Sequence, residues 1–272
     1  MLTWSSMALK WKSLKQGLLS VVPVNYWLYR LCKGYVDFFN GENNCDIETN
    51  GELRYMKRVL PKCSTVFDIG ANVGHWAALA LRINQSLQLH CFEPGKVTYR
   101  KLLQNSFPAN VICNNFGMSS EPGEAPLFIF EDGAGINSLY KREGLESFGL
   151  SKQENYELVR LDTVDDYCKQ KGIDSIDLLK IDVEGHELEV FRGTAQMLFQ
   201  GRVKVIQFEY GGCNIDAGVL LKDIFNFFSD YNYNFYKICS RELRLVARYD
   251  QCLENFQHQN WLIVDSGHFL LD

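Results

Sequence analysis

Two short stretches carry side chains whose types and spacing could do chemistry. The first is Asp182-Val183-Glu184-Gly185-His186-Glu187, which follows an apolar run through Ile176, Leu178, Leu179 and Ile181. Carboxylates and an imidazole at one strand end can orient a hydroxyl and take its proton, and the imidazole has the intrinsic pKa best suited to a base near neutrality. Asp182 is therefore read as positioning an acceptor and His186 as the base, with Glu184 a third candidate. Asp182 and Glu184 also offer the hard oxygen ligands that magnesium takes, but two ligands do not make a site and no metal is assigned. The second stretch is Thr65–Ala80. A buried strand (Val66, Phe67, Ile69) ends in Gly70, Asn72 and Gly74 and passes into an Ala/Leu-rich helix. Glycines there let a ligand approach the backbone, and the helix start offers N–H groups to an anionic part of it. The third glycine of G-x-G-x-x-G is missing, with Trp76 and Ala77 in its place, which counts against a nicotinamide-dependent oxidoreductase.

These groups need strands and helices to hold them, and the chain alternates the two. The expected strands are the one that opens Thr65–Ala80, then Leu87–Phe92, Asn110–Cys113, Ser175–Ile181 and Val203–Tyr210, followed by Tyr233–Cys239 with a neighbour at Leu243–Tyr249, and Asn260–Val264. Such a β-α repeat predicts a doubly wound, mostly parallel sheet with its ligand at the carboxyl edge of the strands. Glu93 ends the second strand about twenty residues past the glycine turn, where an acidic side chain accepts hydrogen bonds from a ribose diol. Leu127–Phe130 is expected to form a hairpin with Phe116–Ser119, Asp162 to cap a helix that runs through Lys171, and Asp216–Asp230 to form one helix. Residues 131–157 are glycine-rich and without period. They are read as an inserted loop facing the substrate, in the manner of a lid.

Composition narrows the function. With 46% hydrophobic and 22% charged residues, the chain has the make-up of a folded globular protein rather than a disordered one. A net charge of −5 gives no basic footprint for nucleic acid. Nine cysteines without any C-x-x-C pair point to reduced thiols in a cytoplasmic setting, not to a disulfide framework or a zinc site. Residues 1–50 differ from the remainder. Lys10, Lys12, Lys15, Arg30 and Lys33 precede the first acid, Asp37, and are mixed with Trp4, Trp11, Tyr26, Trp27 and Tyr29. The simple reading is a helical extension packed on the domain. The sharper one is weak contact of residues 1–40 with an anionic membrane or a partner.

Val-Phe-Asp-Ile-Gly-Ala-Asn-Val-Gly (66–74), Cys-Phe-Glu-Pro (91–94) and Leu-Leu-Lys-Ile-Asp-Val-Glu-Gly-His-Glu-Leu (178–188) together closely resemble the FkbM family of S-adenosylmethionine-dependent methyltransferases. The resemblance covers roughly Gly51 to Val264. It implies a Rossmann-like class I methyltransferase fold, with a seven-stranded, mostly parallel sheet at 51–265 and helices on both faces, preceded by the extension at 1–50. It implies S-adenosylmethionine as cofactor, with Asp68, Gly70, Asn72 and Gly74 around its methionine portion. Glu93 would then hold the ribose, Asn115, Phe116 and Gly117 would lie near the adenine, and Asp182 near the transferable methyl. It implies O-methylation of a hydroxyl on a small molecule, sugar or glycan precursor. A cofactor-binding but catalytically silent interaction module is the alternative from another class.

Overall fold

The computed structural model describes residues 24–131, 133–145 and 155–267. Residues 1–23 of the N-terminal extension, and 132 and 146–154 of the 131–157 loop, therefore lie outside the described residues. The chain divides into two compact units, Met1–Asn40 and Gly41–Asp272. The boundary falls ten residues before the one expected at 50, because residues 41–50 join the second unit. Glu42 forms a β-bridge with Gln259 and pairs with Lys237 at 2.8 Å. In the first unit, helix α1 (Tyr26–Asn40) starts at Asn25, whose side-chain oxygen accepts the N–H groups of Trp27 and Leu28, satisfying donors that a helix start leaves open.

The second unit begins with α2 (Glu52–Val59), stopped by a 3-10 turn containing Pro61, since proline lacks the N–H an interior helical position needs. Next come β1 (Thr65–Ile69), α3 (His75–Ile83), β2 (Gln88–Phe92), α4 (Lys96–Leu103), β3 (Val111–Asn114), β4 (Gly117–Met118), β5 (Gly123–Ile129) and β6 (Asn155–Asp162). The chain continues through α5 (Val164–Lys171), β7 (Ile176–Ile181), α6 (Glu187–Arg192), α7 (Ala195–Phe199), β8 (Val203–Tyr210), α8 (Cys213–Ala217) and α9 (Leu221–Phe227), and closes with β9 (Tyr233–Ile238), β10 (Leu243–Val246) and β11 (Gln259–Asp265).

The main sheet has the order β10-β9-β11-β8-β7-β1-β2-β3. Its five strands from β8 to β3 run parallel, and β11, β9 and β10 add antiparallel pairs at the other end. The sheet thus holds eight strands rather than seven, because Leu243–Val246 pairs along its whole length with β9. Both faces are covered. Phe67 and Ile69 of β1 join a core with Phe92, Tyr167, Phe191 and Phe208, while Val66 joins an opposite core with Tyr55, Leu89 and Leu262.

Three local expectations are corrected. Leu127–Phe130 does not pair with Phe116–Ser119. β5 runs antiparallel to β6, and β4 lies parallel to the other edge of β6, so the three make a separate small sheet. The cap of α5 is Thr163, whose hydroxyl accepts the Asp166 N–H at 3.0 Å, rather than Asp162. The helix expected over Asp216–Asp230 is broken at Gly218, which adopts φ +68° and ends α8 in the left-handed conformation glycine tolerates. Among the described residues no helix is long and apolar enough to cross a membrane.

Candidate active site

The chain passes from β1 to β2 and β3 on one side, then returns through β7 to the other side of β1. Their carboxyl ends meet at this switch point, where an open α/β sheet binds ligands. Gly70 and Ala71 both donate N–H to the Phe92 carbonyl at 3.0 Å, and the Asp182 N–H donates to Ile69 at 3.0 Å. The contact is tight enough that a Cβ on Gly70 would lie 1.8 Å from the Asp182 carbonyl oxygen, and Gly70 has φ +79°. Only glycine fits both constraints.

Asn72 follows at φ +49°, and its N–H donates to Glu93 Oε2 at 3.0 Å; Glu93 Oε1 accepts the Gly95 N–H at 2.8 Å. Glu93 is buried at the end of β2, and burial pushes its carboxyl up to about 7 against those two hydrogen bonds. Gly70, Asn72, Glu93, Gly117, Leu127 and Asp182 all line one pocket. The other residues expected near a cofactor are placed differently. The Asn115 amide donates to the carbonyls of Glu93 and Pro94 at 2.9 and 3.0 Å and so fixes the turn after β2. The Phe116 ring is buried against Phe92 and carries the Arg160 guanidinium on its face. Gly74, at φ +90°, starts α3 with Leu102, Asn105 and Phe107 crowded where a side chain would go.

Behind the turn lies a buried ion pair. Lys180 Nζ sits 3.0 Å from Asp68 Oδ1 and 3.4 Å from Asp182 Oδ2. Burial raises the Asp68 carboxyl while Lys180 opposes it; for Lys180, burial is outweighed by the two aspartates and its pKa rises. Asp68 Oδ2, Asn72 Oδ1 and Trp76 Nε1 are buried with no hydrogen-bond partner among the described residues. Polar atoms in that state are where a polar ligand fits.

The stretch after β7 forms a turn of two left-handed residues, Glu184 (φ +54°) and Gly185 (φ +104°). Glu187, buried at the start of α6, folds back over it: Oε1 accepts the Gly185 N–H at 3.1 Å, and Oε2 accepts from the Asn214 amide at 3.2 Å. His186 lines the same pocket as Glu93, but both its ring nitrogens are engaged. Its Nε2 lies 2.9 Å from Ser119 Oγ and its Nδ1 lies 2.9 Å from the Tyr140 hydroxyl. Burial lowers its pKa to about 4, so at neutral pH it is an uncharged bridge with both ring nitrogens engaged. The expectation that it is the base, drawn from its intrinsic pKa, gives way to a role in joining the 131–145 segment to α6. The folded pKa lies below the ordinary 6.5, so protonation favours the unfolded chain. The contribution is fully present above about pH 6.5 and is lost as pH falls towards 4, by about 2 kcal/mol at pH 5. In urea unfolding, the stability change from pH 7 to pH 5 should be less favourable in the wild type than in His186→Gln by that amount; the same pH dependence in both would rule the bridge out.

Asp182, Glu184 and Glu209 converge, with oxygens within 4.8 Å of one another. Each has a cationic partner: Asp182 has Lys180, Glu184 has Arg142 at 2.9 Å, and Glu209 has His258 at 3.0 Å. Burial raises the carboxyls of Glu184 and Glu209, helped at Glu184 by the charges of Glu209 and Asp182 and at Glu209 by that of Asp182. For His258, burial is outweighed by Cys45 and Glu209, which hold it up at about 11. The three carboxylates open on a crevice of about 840 Å³ whose walls include Glu52, Trp76 and His258, a size that suits a small-molecule acceptor. Glu209, His258 and Arg142 went unread as site residues in the sequence. Glu209 carried a signal, as an acid ending a strand before Gly211-Gly212; His258 and Arg142 carried none.

The fold is Rossmann-like, with a pocket at the switch point of its parallel strands and a wider crevice beside it. A family model of the methyltransferase FkbM domain matches residues 68–235. The chain belongs to that family and is a methyltransferase. It is 31% identical to methyltransferase sdnD of Sordaria araneosa, covering 60% of this chain and 74% of that protein. It is 25% identical to the hexuronic acid methyltransferase AglP of Haloferax volcanii, covering 65% of this chain and 66% of that one. It is 28% identical to the 2-O-methyltransferase NoeI of Sinorhizobium fredii, covering 57% and 66%. A crystal structure of methyltransferase FkbM from Methylobacillus flagellatus KT superposes with a TM-score of 0.47 at 14% identity, over 74% of this chain and 43% of that one.

Proposed function

We propose that the protein transfers a methyl group from S-adenosylmethionine to a hydroxyl of a small molecule or carbohydrate, and that it does so in the cytoplasm. The observation that carries the reading is that Gly70, Asn72, Asp182 and Glu184 line both the pocket that contains Glu93 and the crevice that contains Glu209. The chemistry of the residues around the pocket suits the cofactor: Glu93 would take the ribose hydroxyls, the turn and Asp68 the methionine portion, and Pro94, Gly117 and Leu127 would flank the adenine. S-adenosylmethionine supplies an electrophilic methyl carbon, so the protein need only align the acceptor and receive a proton.

Asp182, whose side chain is 36% exposed, is the most open of the three carboxylates and would hold the acceptor hydroxyl. Glu209 would receive the proton, since burial and neighbouring like charges raise a carboxylate's proton affinity towards the range useful for a base. A hydroxyl acceptor is supported by the names of two relatives, a 2-O-methyltransferase and a hexuronic acid methyltransferase. That none of the nine cysteines is in a disulfide supports a reducing compartment. The test is transfer of isotopically labelled methyl into a cell extract. Wild type should produce a labelled acceptor, and Glu209→Gln should lower turnover about 10²- to 10⁴-fold with S-adenosylhomocysteine affinity retained. Label incorporated as fast by Glu209→Gln would remove Glu209 from the chemistry.

A further inference from the structure

Helix α1 has no buried residue. Trp27 is 78% exposed, Leu31 72% and Phe39 57%, and apolar side chains stand at 26–29, 31, 35, 36, 38 and 39. Arg30, Lys33, Asp37 and Asn40 fall on one narrow face, and apolar side chains take most of the remaining circumference. An α-helix with so wide an apolar face is normally covered by something. Fifteen residues extend about 22 Å, short of the roughly 30 Å of a bilayer's hydrocarbon core, so the helix cannot span one.

Composition and charge indicate what the cover is. Four of its fifteen residues are Tyr or Trp, at 26, 27, 29 and 35, the side chains that settle at headgroup level because their rings are apolar and their tips polar. Five of the chain's 28 basic residues, Lys10, Lys12, Lys15, Arg30 and Lys33, and none of its 33 acidic ones lie before Asp37. The remaining chain is thus strongly acidic and would be repelled by an anionic surface, while the first 36 residues would be drawn to it. A second copy of the chain brings the same cations to the same face and is a poorer complement. We propose that α1, together with the basic stretch before it, docks in the headgroup region of an anionic lipid bilayer and holds the methyltransferase at a membrane surface.

Flotation of the full chain with phosphatidylcholine vesicles, with and without phosphatidylserine, tests this. The protein should float with the phosphatidylserine vesicles, partition at least about tenfold less onto phosphatidylcholine alone, and come off as salt is raised. A Trp27→Ser, Leu31→Ser, Phe39→Ser variant should lose about tenfold in partition while keeping the wild-type circular dichroism and S-adenosylhomocysteine affinity. Failure to float with anionic vesicles overturns the proposal. So does equal flotation with both vesicle types, or a stable dimer in light scattering that the triple variant dissolves without any vesicle binding.

Discussion

Lys180→Met is expected to destabilise the protein by about 3–5 kcal/mol, the cost of breaking a buried ion pair from one side. Lys180 is buried in β7 and Asp68 is buried in β1, on adjacent strands whose register places the two residues opposite each other. Removing the ammonium leaves Asp68 in an apolar setting with only its protonated form affordable, and removes the group that holds Asp182 from behind at 3.4 Å. The double variant Lys180→Met, Asp68→Asn should recover much of the loss, because it leaves no uncompensated charge. Urea unfolding reads both. A single variant within 1 kcal/mol of wild type would mean that Asp68 is protonated in the native protein and that the pair is not ionic.

Glu93→Ala is expected to weaken S-adenosylhomocysteine binding about 100-fold, the loss of two hydrogen bonds to a charged acceptor at roughly 1.5 kcal/mol or more each. Ligand hydroxyls that donate to a carboxylate bind its ionised form, and the Glu93 carboxyl is held at about 7. Wild-type affinity should therefore rise with pH through about 7 and level off above it, with proton release on binding below that point. Glu93→Ala should show no such dependence. Glu93 also accepts the Asn72 and Gly95 N–H groups, one on each oxygen, so Glu93→Gln, which keeps one of those acceptors and puts a donor in place of the other, should disturb the turn less than Glu93→Ala, lose the pH dependence and lose part of the affinity.

The parts of this site that were legible in the sequence are the ones set by local chemistry. Gly70 stands where two strand ends come too close for a side chain, and Glu93 and Asp182 end strands whose apolar runs are readable one strand at a time. Parts that depend on distant chain segments were not legible. His258 reaches Glu209 only because β11 turns back antiparallel along β8, pairing Asn260 with Glu209. His186 looks like a free base in its own hexapeptide, and it is Ser119 and Tyr140, brought from other segments, that occupy its nitrogens. Glu187 looked like one more acid among several. Its burial and its hold on the Gly185 N–H make it the clasp that shapes the turn. The small three-stranded sheet was misread for a related reason: a segment as short as Gly117–Met118 finds its partner only in the fold, and it pairs with β6 rather than with β5.

The central claim is that the Gly70–Asn72 turn and Glu93 form the pocket of a methyl-donor cofactor. Calorimetric titration of the wild-type protein with S-adenosylhomocysteine tests it most directly. One site per chain, with affinity that increases from pH 6 to pH 8 and is lost in Glu93→Ala, is the expected result. A folded wild-type protein that releases no heat and gains no thermal stability with that ligand at any pH in this range would contradict the account.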